Sequence, residues 1–196
     1  MLDLSTFSAT FRELVDPMRK AMRIVWFSFN AAIPAYIAMA YVQFGLPSDG
    51  LEPLRSNPLT VPLAVLSVAV AIGSLWVADL LLTLNRPAQR FAEKPDPENL
   101  ARDPRTGYLD PKRLARIKTL SEYEQRMLSL VSLIFIPFLV RLAFAESIAL
   151  YGLVLSFLSR SPVPVIPFAI VALALNLRVS PDLGSWLERV ARRAGQ

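Results

Sequence analysis

The stretch MLSLVSLIFIPFLVRLAFAESIALYGLVLSFL, residues Met127–Leu158, decides how this chain is read. At about 32 residues it is longer than the roughly 20 an α-helix needs to cross ~30 Å of hydrocarbon. It nevertheless carries Arg141 and Glu146 near its middle. Charges at membrane depth are costly, so they face a protein interior, pair with a partner, or handle ions. Pro137 interrupts the run and is expected to kink it, because proline removes a backbone donor and clashes with the preceding turn.

Working outward, three more apolar stretches appear: Ile24–Phe44, Val61–Leu84 and Val163–Leu177. The first two reach spanning length; the last, about 15 residues, is short, and Pro164 and Pro167 suit its first turn. Hydrophobic residues make up 54% of the 196-residue chain and charged residues 19%, against about a quarter charged in soluble domains. The N-terminal 23 residues lack a secretory leader pattern, so the first apolar stretch is expected to be a retained span. The expectation is an all-α, polytopic membrane protein with four transmembrane helices and short amphipathic interfacial helices, residues 1–196 forming one membrane domain.

Orientation follows from lysine and arginine placement. Arg12, Arg19, Lys20 and Arg23 precede the first span. The connection 85–126 holds Arg86, Arg90, Lys94, Arg102, Arg105, Lys112, Arg113, Arg116, Lys118 and Arg126, and the tail holds Arg178, Arg189, Arg192 and Arg193. The segment Gly45–Thr60 has only Arg55, and Ser159–Pro162 only Arg160. Both termini and the central connection are therefore expected in the cytoplasm, with the spans in a bacterial inner membrane. This placement also explains the net charge of +5 without nucleic acid.

Within the connection, Pro95–Asn99 and Arg102–Gly107 form turns. Asp110 and Pro111 then mark a helix start, as N-cap and first residue. Leu114, Ile117 and Leu120 recur at helical spacing beside Lys112, Arg113, Arg116 and Lys118, which predicts a basic amphipathic helix lying on anionic lipid headgroups. The alternative is a docking surface for a partner protein. Pro181–Arg193, with Trp186, Leu187 and Val190, reads as a second interfacial helix. Glu122 and Glu124 are expected to cap the start of the third helix.

A rise of ~1.5 Å per residue places the buried polar groups by depth. Asp79 and Arg141 both fall roughly 27 Å below the outer face, which makes them an ion-pair candidate. Glu146 lies roughly 20 Å below that face, and Asn30 comes near the same level from the cytoplasmic side. An unpaired carboxylate there is expected to be neutral and hydrogen-bonded to a group such as Asn30 or Ser147. It could instead load and release a proton or cation, with Asn30 assisting. A third arrangement closes it on Arg141, although a spacing of five turns the two about 140° apart. Tyr41 suits an interfacial belt, and Trp26, Tyr36, Trp76 and Tyr151 read as packing.

The residues Ala143-Phe144-Ala145-Glu146-Ser147-Ile148-Ala149-Leu150-Tyr151-Gly152-Leu153-Val154-Leu155 resemble the carboxylate-bearing helix of the proteolipid c subunit of rotary ATP synthases. That resemblance implies an ion-binding role for Glu146, with Tyr151 and Gly152 packed around it. It covers one helix, while proteolipids are two-helix hairpins whose other helix is glycine-rich; here the preceding span contains only Gly73. As a whole the chain resembles small four-span bacterial membrane proteins of uncharacterised role, a family that supplies no activity to carry over.

The chain has no cysteine and no histidine. That excludes disulfides, thiolate metal sites and histidine-based triads. No glycine loop of the phosphate-cradling kind occurs, and Asp96, Glu98 and Asp103 lack EF-hand spacing. No metal or cofactor is expected. The leading expectation is a non-enzymatic membrane scaffold or accessory subunit, working with lipid and with a membrane-protein partner or a second copy. The alternative is a proton- or cation-conducting component built on Glu146.

Overall fold

A computed structural model describes residues 4–46, 57–84, 87–103 and 106–194, with a few side chains inside those ranges left undescribed. It is all-helical, and the described residues contain no strand, only an isolated bridge between Arg102 and Leu109. After a short 3-10 turn at Leu4–Thr6, the helices are α1 (Ala9–Phe44), α2 (Thr60–Leu84), α3 (Pro87–Ala92), α4 (Pro97–Ala101) and α5 (Pro111–Lys118). They continue with α6 (Glu122–Val131), α7 (Phe135–Ser159), α8 (Val165–Arg178) and α9 (Leu183–Ala194). Three stretches are long and apolar enough to cross a membrane: Ala9–Phe44, Thr60–Thr83 and Glu122–Ser159 taken across its break. The 14-residue Val165–Arg178 passes that test only when counted together with Leu183–Arg192.

The chain divides into two compact units, and the divisions fall at Arg23/Ile24, Asp79/Leu80, Pro137/Phe138 and Ser180/Pro181. The first unit gathers the N-terminal segment, the central connection and the C-terminal helix; the second gathers Ile24–Asp79 and Phe138–Ser180. The first of these divisions coincides with the start of the first apolar stretch.

In the first unit, α9 packs on α3 and α6, α3 on α6, and α4 on α5 and α6. Its core contains Phe11, Val15, Ile117, Met127, Leu130, Trp186, Leu187 and Val190, all nearly or fully buried. Several helices here begin with a side-chain cap that satisfies otherwise orphaned N–H groups. Asp110 Oδ1 accepts from the N–H groups of Lys112 and Arg113. Ser121 and Glu124 form a reciprocal capping box on α6. Both helices expected to lie in a membrane interface bury apolar residues within this unit. Ile117 of α5, Leu120 just after that helix, and Trp186, Leu187 and Val190 of α9 turn inward and are buried. Each short helix has an apolar stripe and buries it against other helices of the unit, α5 against α4 and α9 against α3 and α6.

The second unit is a bundle of α1, α2, α7 and α8. Ile33, Ile148, Ala149, Leu155, Phe168, Ala169 and Ala172 form its centre, with Leu63, Ala64, Val70 and Ala71 of α2 packed against it. α7 and α8 approach closely at Gly152, where a Cβ would stand 2.6 Å from Phe168 Cβ and 3.1 Å from Val165 Cα. The turn between them is built by side chains. Ser156 Oγ, fully buried, accepts from Val165 N–H at 3.0 Å. Arg160 takes φ 51° while Ser161 N–H reaches back to Ser156 C=O, a Schellman-type ending with arginine where glycine is usual.

Two boundaries differ from the sequence expectation. The first helix begins at Ala9, because Phe11, Val15 and Met22 extend a buried helical stripe through the polar N-terminal segment. The run Met127–Leu158 is broken, not merely kinked: α6 ends at Val131, and Leu133 and Ile134 N–H groups bond to Leu130 and Val131 carbonyls. Pro137 stands in the first turn of α7, where its missing N–H costs nothing. The surplus length is thereby explained. The apolar residues before the break fill the core of the first unit, and Phe138 onward belongs to the second.

Candidate functional site

Two side-chain hydrogen bonds of the second unit tie α1 to other helices. Tyr36 belongs to the inward stripe that includes Ile33, Ile37 and Ala40, spaced by three, four and seven. Glu146 lies on α7 beside the buried Ala145, Ile148 and Ala149, and is itself half-buried. The Tyr36 hydroxyl donates to Glu146 Oε1 at 2.5 Å, the short end of the range for an O–H donor meeting a carboxylate. This bond ties α1 to α7 near the middle of their apolar lengths.

The sequence leads one to expect Glu146 bonded to a group such as Asn30 or Ser147, and the geometry differs. Asn30 Nδ2 donates to its own helix, to Trp26 C=O at 2.8 Å. Ser147 Oγ likewise donates back to Phe144 C=O at 2.7 Å. Reckoning by Cα height had favoured Asn30. Helical side chains lean toward the helix N-terminus, so the long phenol of Tyr36 reaches down from about a turn (~5.4 Å) or more higher up α1. Asn30 is too short to leave its own helix. The signal for Tyr36 is its place on the inward stripe, but an aromatic at such a position reads as packing from sequence alone.

A second polar group lies toward the start of the apolar part of α1. Trp26 Nε1–H donates to Asn176 C=O on α8 at 3.1 Å. That carbonyl, which also accepts from Val179 N–H at 3.0 Å, ends α8. Of Asp79 only the backbone is described, so its pairing with Arg141 lies outside the described side chains. Arg141 is half-buried on α7. Trp76, expected to pack, is 73% exposed.

In the first unit Lys112, Arg113, Arg116 and Lys118 are all exposed on α5. Arg116 approaches Glu13 of α1 at 3.6 Å, with both side chains more than half exposed, a contact of little energetic weight. Glu124 is more firmly held. Its Oε1 accepts from Ser8 N–H at 2.7 Å, and its Oε2 from Ser121 N–H and Oγ–H at 3.0 Å each. Burial alone would raise this carboxyl, but the hydrogen bonds from Ser8 and Ser121 outweigh it and hold the group below its ordinary 4.5. The N-terminal segment is thus fastened to the connection, and Phe7 stacks on Tyr123 with ring centroids 6.1 Å apart.

Among the described residues no group of three or more histidine, cysteine, aspartate or glutamate side chains is placed to hold a metal ion. Comparison with models of known protein families, with curated protein sequences and with solved structures found no match.

Proposed function

We propose that this chain is a four-span protein of the bacterial inner membrane, acting as a non-enzymatic scaffold or accessory subunit. Its apolar bundle sits in lipid, and both termini and the central connection meet in the cytoplasm. One observation carries the topology. The three segments assigned to the cytoplasm by their basic residues belong to one compact unit, with α9 of the tail packed on α3 and α6 of the connection. A chain returning to that unit after α7 must cross once more. α8 with its 14 residues supplies ~21 Å of that path, and the non-helical residues 179–182 up to ~13 Å more, enough for ~30 Å of hydrocarbon. Outward-facing Val61, Val65, Val68, Ile72 and Trp76 on α2 support contact with acyl chains.

Within this reading the Tyr36–Glu146 bond serves as a helix lock. A carboxylate that already accepts a short hydrogen bond from a neighbouring helix fixes register. In membranes such bonds contribute about 0.6 kcal/mol on average and up to about 1.7. The exposed basic side chains of α5 face anionic headgroups or a partner's acidic surface through charge alone, since the apolar side of that helix is used inside its own unit. A membrane-protein partner or a second copy would complete the assembly.

The same pair supports a second reading, proton or cation conduction through Glu146, because a phenol beside a carboxylate is a proton relay in waiting. Proton flux into proteoliposomes, measured with wild-type protein and Glu146→Gln, separates the two. The scaffold reading expects equal, negligible flux and a less stable variant. Flux in the wild type that vanishes with the substitution would replace it with conduction.

A further inference from the structure

Among the described residues, four buried polar atoms of the second unit have no hydrogen-bond partner: Thr60 Oγ1 at the start of α2, and, at the other end of the apolar stretches, Asn30 Oδ1 and both Oδ1 and Nδ2 of Asn176. Asn176 is wholly buried, so neither lipid nor a second copy of the chain reaches its amide. Its backbone carbonyl is well served by Trp26 and Val179, which leaves only the side chain unmatched. Asn30 is oriented by its own bond to Trp26 C=O, so its Oδ1 must point away from that carbonyl. Trp26 therefore holds both asparagines, one through its backbone and one through its indole. A buried amide with neither end paired carries its full desolvation cost, and native interiors almost always supply a partner.

The unmatched set around Trp26 is specific: two acceptors and one donor group. We propose that Asn30 and Asn176 bind a single buried water molecule beside Trp26. The water donates one hydrogen to each Oδ1 and accepts one from Asn176 Nδ2. That uses both of its hydrogens and gives it about three bonds, the usual number for a buried water. A monovalent cation would suit the two oxygens but meet the Asn176 N–H groups with the wrong sign. An anion would suit the N–H groups and repel both oxygens. Exchanging the oxygen and nitrogen of the Asn176 amide leaves one donor and one acceptor unmatched as before, so the assignment does not depend on how that amide is turned. Asn30 becomes a water ligand instead of a cation ligand, and the site pins the end of α8 to α1.

Infrared spectra of the full-length protein in lipid nanodiscs, in ordinary and in oxygen-18 water, test this for wild type and Asn176→Leu. The expected result is an isotope-shifted O–H band of isolated water in the wild type that disappears in the variant, together with a lowered thermal midpoint. A wild type without such a band overturns the proposal. So does a variant whose midpoint rises, since removing a dry, unpaired amide is stabilising. A wild-type midpoint that climbs specifically with added Na+ or K+ would identify a cation site and also overturn it. Should Asn176→Leu fail to fold, Asn30→Ala takes its place: the band must then shift in frequency because one bond is lost, and an unshifted band counts against the water.

Discussion

Trp186 and Trp76 show how differently the two units of this chain are made. Trp186, on α9 in the first unit, is 1% exposed, and Arg189 covers its ring with the guanidinium 4.2 Å from the centroid. Trp76, on α2 in the second unit, is 73% exposed. The contrast extends to the polar residues. The second unit buries Ser67, Ser74, Ser156 and Asn176 while turning valine, isoleucine and leucine outward. The first buries Phe11, Met22, Ile117, Met127, Leu130 and Trp186 and leaves its lysines on the surface. One polypeptide thus follows two opposite rules for what goes outside. The proposed membrane placement would account for this by two solvents: water around the first unit, and hydrocarbon around the second, where helices associate through packing and hydrogen bonds instead of through apolar burial.

The largest effect should come from exchanging the two tryptophans for alanine. Trp186→Ala opens a cavity in the first unit and should cost about 3–5 kcal/mol, whereas Trp76→Ala should stay within about 0.5 kcal/mol in lipid. Thermal or denaturant unfolding in nanodiscs measures both. Equal costs would break the comparison. Next in size is Val68→Asp, on the outward face of α2. If that face meets acyl chains, membrane insertion should be impaired by about 2.5–3.5 kcal/mol. If it met water, the substitution would be harmless, and an insertion assay distinguishes the cases. Tyr36→Phe removes the hydroxyl from Glu146 and should destabilise the second unit by about 0.6–1.7 kcal/mol, leaving the first unchanged.

A smaller, pH-dependent effect belongs to the first unit. Glu124 is held below 4.5 by Ser8 and Ser121, so its folded value is depressed. The stability it contributes is fully present above the unfolded value, and is lost as pH falls from about 4.5 through the folded value. Protection of the Ser8 amide, its exchange measured relative to an unstructured chain at the same pH, should therefore fall on acidification through that range. Glu124→Gln should show lowered protection at neutral pH and little further change of protection in acid. An unchanged acid response in the variant would assign the effect elsewhere.

Much of the fold was legible because apolar runs and proline positions act locally. The four stretches, the Asp110 cap and the short last helix all rest on neighbours in sequence. Two things did not. The inward burial of α5 and α9 depends on which short amphipathic helices meet, and an apolar stripe reads alike whether it covers a core or a bilayer surface. The partner of Glu146 depends on side-chain reach between helices more than a hundred residues apart in sequence, which Cα heights along each helix do not contain. Tyr36 looked like packing because a tyrosine ring does pack; its hydroxyl matters only once a carboxylate is opposite.

The most direct test of the central claim uses the absence of native cysteine. Single cysteines placed at Thr106 in the first unit and at Arg160 in the α7–α8 turn, both exposed, can be labelled in intact spheroplasts with a membrane-impermeant maleimide. The account predicts that Arg160→Cys is labelled directly and that Thr106→Cys is labelled only after the membrane is opened. Labelling of both without permeabilisation, or recovery of the protein outside the membrane fraction, would contradict it.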